Sequence, residues 1–186
     1  MLLKRRTPHI QTSPTRTNQG FEHVDASALA VLRWLKANHV DFVLVGPVAA
    51  AIRGQEYDRG PVAIVPAPYR RNFERLARAL DASGACIRLD GMGLDGETDT
   101  SPTKVTAEKL GRGLLWTLRC GVHDLDIEGH IPATASYQDL LYEASRFEPA
   151  PDISVEVASP EDIELCAHVR RTGTAPEITI MRAAPA

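Results

Sequence analysis

The sequence has few cysteines, and their placement excludes two classes of protein. Cys86, Cys120 and Cys166 are odd in number, widely spaced and never arranged as C-x-x-C. This spacing indicates neither a disulfide framework nor a zinc site. We therefore predict buried thiols in a reducing compartment, where disulfide bonds are rare.

Long apolar runs and a strong excess of one charge are also lacking. No run approaches the roughly 18 apolar residues of a membrane helix, and the N-terminus has no apolar stretch like that of a secretory signal. The formal net charge of −3 gives no overall attraction to nucleic acid. Walker, dinucleotide-binding and nucleophile motifs do not occur. We expect a cytoplasmic protein without a membrane partner.

What is present is an ordinary globular composition, with 44% apolar and 24% charged residues in a chain of 186. This length suits one domain with a single core. We predict a disordered arm over residues 1–20, a domain over residues 21–175 and a tail over residues 176–186. The arm is basic, so it is either a solvated tail or a contact for the phosphates of RNA or DNA.

Residues 40–66 form the most informative stretch, and they predict a strand, a short helix and a second strand. Residues 40–45 and 62–65 are apolar and β-branched, which suits inner strands of a sheet. Residues 48–52 are rich in alanine, and Gly54 follows where a helix would stop.

The remaining patterns predict helices and strands that pack around this unit. Helical stripes cover residues 25–38 and 69–83, and short strands are predicted at residues 86–89, 114–120 and 123–128, with a loop over residues 90–103. Ser159 and Asp162 form a capping box that opens a late helix. Together these elements predict an α+β fold, a mixed β-sheet flanked by helices in a single domain.

The spacing within residues 40–66 resembles that of the nucleotidyltransferase superfamily, in particular its minimal and AbiEii-type toxin members. Their hallmark is G-G/S-x-A, a short helix closing in glycine, and then R-x-T-x-D-x-D. Gly46, Ala49 and Gly54 match this pattern, and Pro47 stands where the family has its second Gly or Ser. The resemblance implies a nucleotide-binding turn at Gly46 and Pro47.

The same resemblance extends over about residues 26–173. In the last third it implies a helix over residues 137–144, a strand beginning at residue 153 and a helix opened by Ser159.

The residues that carry the family's chemistry are largely replaced. Tyr57 and Arg59 stand in place of its Arg and Thr, and Pro61 and Ala63 in place of the two aspartates that hold Mg²⁺. Proline and alanine side chains offer no oxygen ligand to a hard cation. The resemblance therefore implies a non-catalytic or weakly active module that binds nucleotide or RNA, partly through Arg59, or that regulates a protein partner.

Two aspartates near residue 125 are further site candidates. Alternation places Asp124 and Asp126 on one face of the predicted strand, and Asp126 matches the position of the family's third carboxylate. Both are implied metal ligands. A buried acid requires a partner, and the alternatives for Asp126 are Arg59, Arg119, or a remaining metal or nucleotide.

The alternative function is an active, Mg²⁺-dependent nucleotidyltransferase that transfers a nucleoside monophosphate to RNA or protein in a toxin–antitoxin system. Glu56 and Asp58 have the spacing of the family's aspartates and, in a shifted register, would join Asp126 as catalytic carboxylates. Gly60 and Pro61 argue against this register because they break the strand that must carry the pair. A third hypothesis is an interaction protein that binds no nucleotide.

Overall fold

The computed structural model describes residues 20–21, 23–55, 60–87, 101–102, 104–129 and 135–172. Within these ranges the helices are α1 (Ala26–Ala37), α2 (Gly46–Ile52), α3 (Arg70–Ala82), α4 (Ala107–Leu110), α5 (Tyr137–Glu143) and α6 (Pro160–Thr172). The strands are β1 (Phe42–Val45), β2 (Val62–Pro66), β3 (Cys86–Ile87), β4 (Ser101–Pro102), β5 (Trp116–Cys120), β6 (His123–Ile127), β7 (Ser145–Ala150) and β8 (Ile153–Val157). In this part of the chain, no helix combines the length and apolar character needed to cross a membrane.

These strands form one sheet in the order β4-β3-β5-β6-β2-β1-β8-β7. β1 is antiparallel to β2 and parallel to β8, and β2 is parallel to β6. The β5–β6 and β7–β8 neighbours are antiparallel hairpins. The sheet is therefore mixed, and the predicted α+β fold with helices around a mixed sheet is confirmed.

The two predicted inner strands lie at the middle of the sheet. Val43, Leu44 and Ile64 have no exposed surface. Strands covered on both faces are expected to be apolar at consecutive positions, which is the pattern that the sequence shows here. β1 begins at Phe42, two residues later than predicted, while Val40 is buried just before it.

Helices α1 and α6 cover opposite faces of the sheet. Oγ of Ser27 on α1 lies 2.6 Å from Nδ1 of His123 on β6. In contrast, Arg170 of α6 contacts Asp126 on the same strand. Residues 123 and 126 differ by an odd number of positions, so their side chains point to opposite faces. The sheet is thus the middle of three layers. Asp25 is the N-cap of α1.

Both edge strands were missed by the sequence patterns. β4 lies inside the predicted loop over residues 90–103, and β7 was not predicted at all. β4 contains Pro102 and β7 contains Pro149, and proline weakens a strand prediction because it cannot donate to the ladder. An edge strand pairs on one side only, and proline is tolerated there where its nitrogen faces away from the neighbouring strand or lies at a bulge. The β7–β8 register also shifts between Phe147 and Ala150.

The cysteines are free, but the prediction that all three are buried is wrong. Only Cys166 is buried, and Cys86 and Cys120 are partly exposed. Cys86 is in the two-residue strand β3, next to the edge strand β4, and Cys120 is the last residue of β5. Desolvation still raises the thiol pKa of Cys120 and of Cys166 to about 11, which keeps both protonated near neutral pH.

Candidate functional site

The turn at Gly46 presses closely against the neighbouring strand β2. Gly46 has φ +69°, in the left-handed region that favours glycine. A Cβ added to Gly46 would lie 2.9 Å from the Cβ of Ala63. Pro47 follows in the first turn of α2, where a missing N–H leaves no helical bond unmade. The glycine is therefore required both by its backbone angle and by the contact with Ala63.

Ala63 lies beside Asp126 in the sheet. The parallel pairing of β2 with β6 places these two residues opposite one another. Residues paired in this way point to the same face of a sheet. Asp126 therefore lies next to Ala63, on the strand adjacent to the one that begins after Pro61.

Asp126 belongs to a cluster of three charged side chains, which we call the carboxylate cluster: Asp126, Glu128 and Arg170. Asp126 has no exposed surface, and Glu128 is 3% exposed. Nη1 of Arg170 donates to Oε1 of Glu128 over 3.0 Å, and Nη2 donates to Oδ2 of Asp126. The Arg170 side chain is 30% exposed, so one partly solvated guanidinium holds two buried carboxyl groups.

Glu128 is incompletely satisfied in this cluster. Its backbone N–H donates to the carbonyl of Ile64 over 2.8 Å, which fixes the residue at the end of β6. Its Oε2 is buried and has no hydrogen-bond partner among the described residues. Burial raises the pKa of the Glu128 carboxyl, Arg170 opposes this effect, and the charge of Asp126 adds to it. The geometry therefore favours a proton on Glu128 more than on an ordinary glutamate.

Asp124, the other candidate on β6, is held in a separate ion pair. Arg119 faces it across the β5–β6 hairpin. Nε of Arg119 lies 2.9 Å from Oδ1 of Asp124, and both side chains are about one third exposed. The hypothesis that Arg119 is the partner of Asp126 is therefore wrong, because the register aligns Arg119 with Asp124 instead. Asp126 shares Arg170 with Glu128.

Three of the predicted site residues, Glu56, Asp58 and Arg59, lie outside the described residues. Their proposed roles stay predictions: Glu56 and Asp58 as catalytic carboxylates, and Arg59 as a nucleotide contact or as a partner of Asp126. Of the four other predicted residues, Gly46, Pro47 and Asp126 lie on adjoining elements around Ala63. The fourth, Asp124, is held in its separate ion pair with Arg119.

The described residues do not fit a two-magnesium site as they stand. Mg²⁺ is held by oxygen ligands in near-octahedral geometry, and Pro61 and Ala63 supply no side-chain oxygen. The carboxyl groups of Asp126 and Glu128 are engaged by Arg170. Within the described ranges, no group of three or more His, Cys, Asp or Glu side chains is placed to hold a metal ion.

The sequence patterns did not predict that Glu128 and Arg170 would join Asp126 in the carboxylate cluster. Glu128 carried a usable signal, because it lies two positions after Asp126 and alternation places the two on one face. Arg170 is one of several charged residues on α6, and its sequence context does not distinguish it from Arg171.

A comparison with protein-family models finds no family that matches the chain, and a comparison with curated proteins finds no match. The resemblance to nucleotidyltransferases therefore rests on the sequence pattern over about residues 26–173 and stays a prediction.

Proposed function

We propose that this chain is a nucleotidyltransferase-like module without catalytic activity. In this proposal, Arg170 binds the carboxyl groups of Asp126 and Glu128, which would otherwise face a metal ion. The observation that carries the proposal is the position of Arg170, which binds both Asp126 and Glu128 beside Ala63. The resemblance to nucleotidyltransferases is part of the proposal.

Charge and desolvation support the loss of catalysis. A divalent cation entering the carboxylate cluster would have to displace a guanidinium that is already hydrogen-bonded to both acids. Mg²⁺ would compensate the charge of the acids, but it loses its hydration shell reluctantly and demands near-octahedral oxygen coordination. Pro61 and Ala63 supply no side-chain oxygen ligands, so the entering ion would recover little of the cost of dehydration and of the lost contacts with Arg170. The cluster is therefore better suited to hold α6 against the sheet than to hold Mg²⁺.

A binding or regulatory role follows from the parts of the unit that are retained. Gly46 and Pro47 are partly exposed at the start of α2, and we assign them to contact with a nucleotide or with RNA. We also propose that this contact regulates a protein partner. The cytoplasmic location stays a prediction.

Calorimetric titration with ATP, GTP, CTP and UTP, each with and without Mg²⁺, tests this function. We expect any nucleotide binding to be independent of Mg²⁺. In parallel, labelled NTPs with Mg²⁺ should leave no label on tRNA or on the protein itself. Transfer that disappears in Asp58→Asn would refute the proposal and support the active alternative with Glu56, Asp58 and Asp126 as its carboxylates.

A further inference from the structure

A cavity of about 440 Å³ lies where β1 and β8 begin, lined also by residues of α1, α3, α5 and β7. Its volume falls within the range of roughly 300–1,000 Å³ that is typical of small-molecule sites. None of the three residues of the carboxylate cluster lines it. It is therefore a candidate site independent of the function proposed above.

We propose that this cavity binds a small organic anion with a phosphate or carboxylate group, held by Lys36, Arg75 and Arg146. These three basic residues come from α1, α3 and β7, and all of them line the cavity. Convergence of cations from separate elements is a property of tertiary structure, and no local sequence pattern predicts it.

The two acids of the cavity orient its arginines. Nη1 of Arg75 donates to the carbonyl of His39 over 2.9 Å and lies 3.6 Å from Oδ2 of Asp41. Nε of Arg146 donates to Oε1 of Glu156 over 2.7 Å. A guanidinium carries five N–H donors, so each arginine keeps donors for a ligand while its position is set. Orienting a donor in advance lowers the entropy lost on binding.

The charge balance of the cavity favours an anion. Lys36, Arg75 and Arg146 are three permanent cations, and Asp41 and Glu156 are the two carboxylates among the lining residues. Each carboxylate is already paired with an arginine. Nζ of Lys36 donates to the backbone carbonyl of Asp152 over 3.0 Å, which leaves two of its three N–H donors. The surplus charge that meets a ligand is positive.

Tyr137 adds a neutral donor. Its side chain is partly buried in the lining, and within the described residues its hydroxyl makes no hydrogen bond. Burial raises the pKa of Tyr137, and the charge of Asp41 raises it further. The hydroxyl therefore stays protonated and able to donate to an anionic oxygen.

The end of α1 fixes the backbone beside the cavity. His39 lies just after this helix and has φ +54°, a left-handed conformation in which helices commonly end. The N–H of His39 donates to the carbonyl of Lys36 over 2.9 Å, and the N–H of Val40 donates to the carbonyl of Leu35 over 3.1 Å. The carbonyl of His39 accepts from Arg75, so the helix end contributes to the position of a proposed ligand contact.

Calorimetric titration of the full chain with phenyl phosphate, benzoate and benzyl alcohol tests the site. We expect saturable 1:1 binding of at least one of the two anions, and binding of benzyl alcohol at least about tenfold weaker. Binding of phenyl phosphate alone would identify a phosphate site, and binding of benzoate alone a carboxylate site. No saturable binding of either anion, or equal binding of the uncharged alcohol, would overturn the proposal.

Variants locate the binding within the protein. Lys36→Met and Arg146→Met should each weaken anion binding by about tenfold, the loss expected for one charge-assisted hydrogen bond. Arg78→Met is the matched control, because Arg78 lies on the exposed face of α3 away from the cavity lining. Unchanged affinity in the first two variants, or an equal loss in the control, would contradict the assignment.

Two further measurements keep the test decisive. If Lys36→Met or Arg146→Met lowers the Tm so far that binding cannot be measured, Tyr137→Phe replaces it, because this variant removes one donor without changing the charge. Tyr137→Phe should weaken anion binding, and an unchanged affinity would overturn the proposal. Arg170→Gln should leave anion affinity unchanged, and no Mg²⁺ should be required. An affinity that tracks Arg170 or Mg²⁺ would move the binding to the carboxylate cluster and refute this site.

Discussion

Ala63 of β2 lies directly beside Asp126 of β6, and Gly46, which follows β1 on the other side of β2, packs against the Cβ of Ala63. A small side chain at position 63 thus separates the turn from a fully buried carboxylate. Arg170 reaches Asp126 from α6 and compensates its charge.

Arg170→Gln should destabilise the protein. Breaking a buried ion pair costs about 3–5 kcal/mol, and we expect the lower end, about 3 kcal/mol, because the Arg170 side chain is 30% exposed. In a domain of this size, that loss corresponds to a fall in Tm of about 6–12 °C. Urea unfolding and thermal melts measure both quantities.

Arg171→Gln is the control for that variant, because Arg171 is exposed on the same turn of α6. It should change the free energy of unfolding by less than about 0.5 kcal/mol. Equal effects of the two substitutions would show that Arg170 acts only as a surface charge.

The stability of the protein should depend on the protonation of Glu128. Its pKa is raised in the folded state, chiefly by burial. The stabilising contribution is therefore complete below the unfolded-state pKa and is lost as the pH rises through the folded-state pKa, because deprotonation leaves a buried charge. Between these two values the free energy of unfolding falls with pH, at most by about 1.4 kcal/mol per pH unit for one group.

Glu128→Gln should remove this pH dependence. The free energy of unfolding of the variant minus that of the wild type should increase as the pH rises from about 4.5, the ordinary pKa of a glutamate. This difference should become constant above the pKa of Glu128 in the folded state. Urea unfolding across that range measures the difference, with Glu143→Gln, at an exposed residue of α5, as the control. A difference that is flat with pH, or that runs in the opposite direction, would contradict protonation of Glu128 in the fold.

Restoring the missing ligands should create metal-dependent nucleotide binding. The triple variant Pro61→Asp, Ala63→Asp, Arg170→Gln provides two new carboxylates and frees Asp126 from its guanidinium. We expect Mg²⁺-dependent binding of at least one NTP by calorimetry, together with lower stability in the absence of metal, because the acids repel one another. The matched control is the same triple variant with Asn instead of Asp at positions 61 and 63. It should bind no nucleotide in a Mg²⁺-dependent manner. Binding by the control at the same affinity would argue against a carboxylate site.

Gly46→Ala should destabilise the protein more than Gly54→Ala does. Both glycines have positive φ, +69° and +80° respectively, so each substitution incurs backbone strain of about 1–2 kcal/mol. Only at Gly46 does the new Cβ meet another atom, the Cβ of Ala63 at 2.9 Å. Overpacking adds about 1–3 kcal/mol there.

A double-mutant cycle checks the cause of the Gly46 effect. Combining Gly46→Ala with Ala63→Gly removes the clashing methyl group, so the cost of Gly46→Ala should be smaller in that background. Strict additivity of the two substitutions would show that backbone strain alone accounts for the loss.

Several elements could be predicted because their signal is local. The apolar runs of β1 and β2, the stripe of α1 and the hairpin of β5 and β6 each depend on a few consecutive residues. The edge strands β4 and β7 could not be predicted in this way. Pro102 and Pro149 count against a strand unless it is known that the strand lies at the sheet edge, which only the assembled sheet reveals.

The candidate site also has one part that local sequence predicts and another part that depends on the tertiary structure. The sequence by itself determined that Asp126 would lie on a half-apolar strand and that Pro61 and Ala63 would bring no metal ligands. Burial then made a partner for Asp126 obligatory, but the choice of partner depended on where α6 packs. Arg170 is 44 residues away along the chain, while Arg119, nearer in sequence, is aligned with Asp124 by the hairpin register. Only the tertiary structure brings a distant cation to a buried acid, because contacts between elements depend on packing and strand register and not on local periodicity.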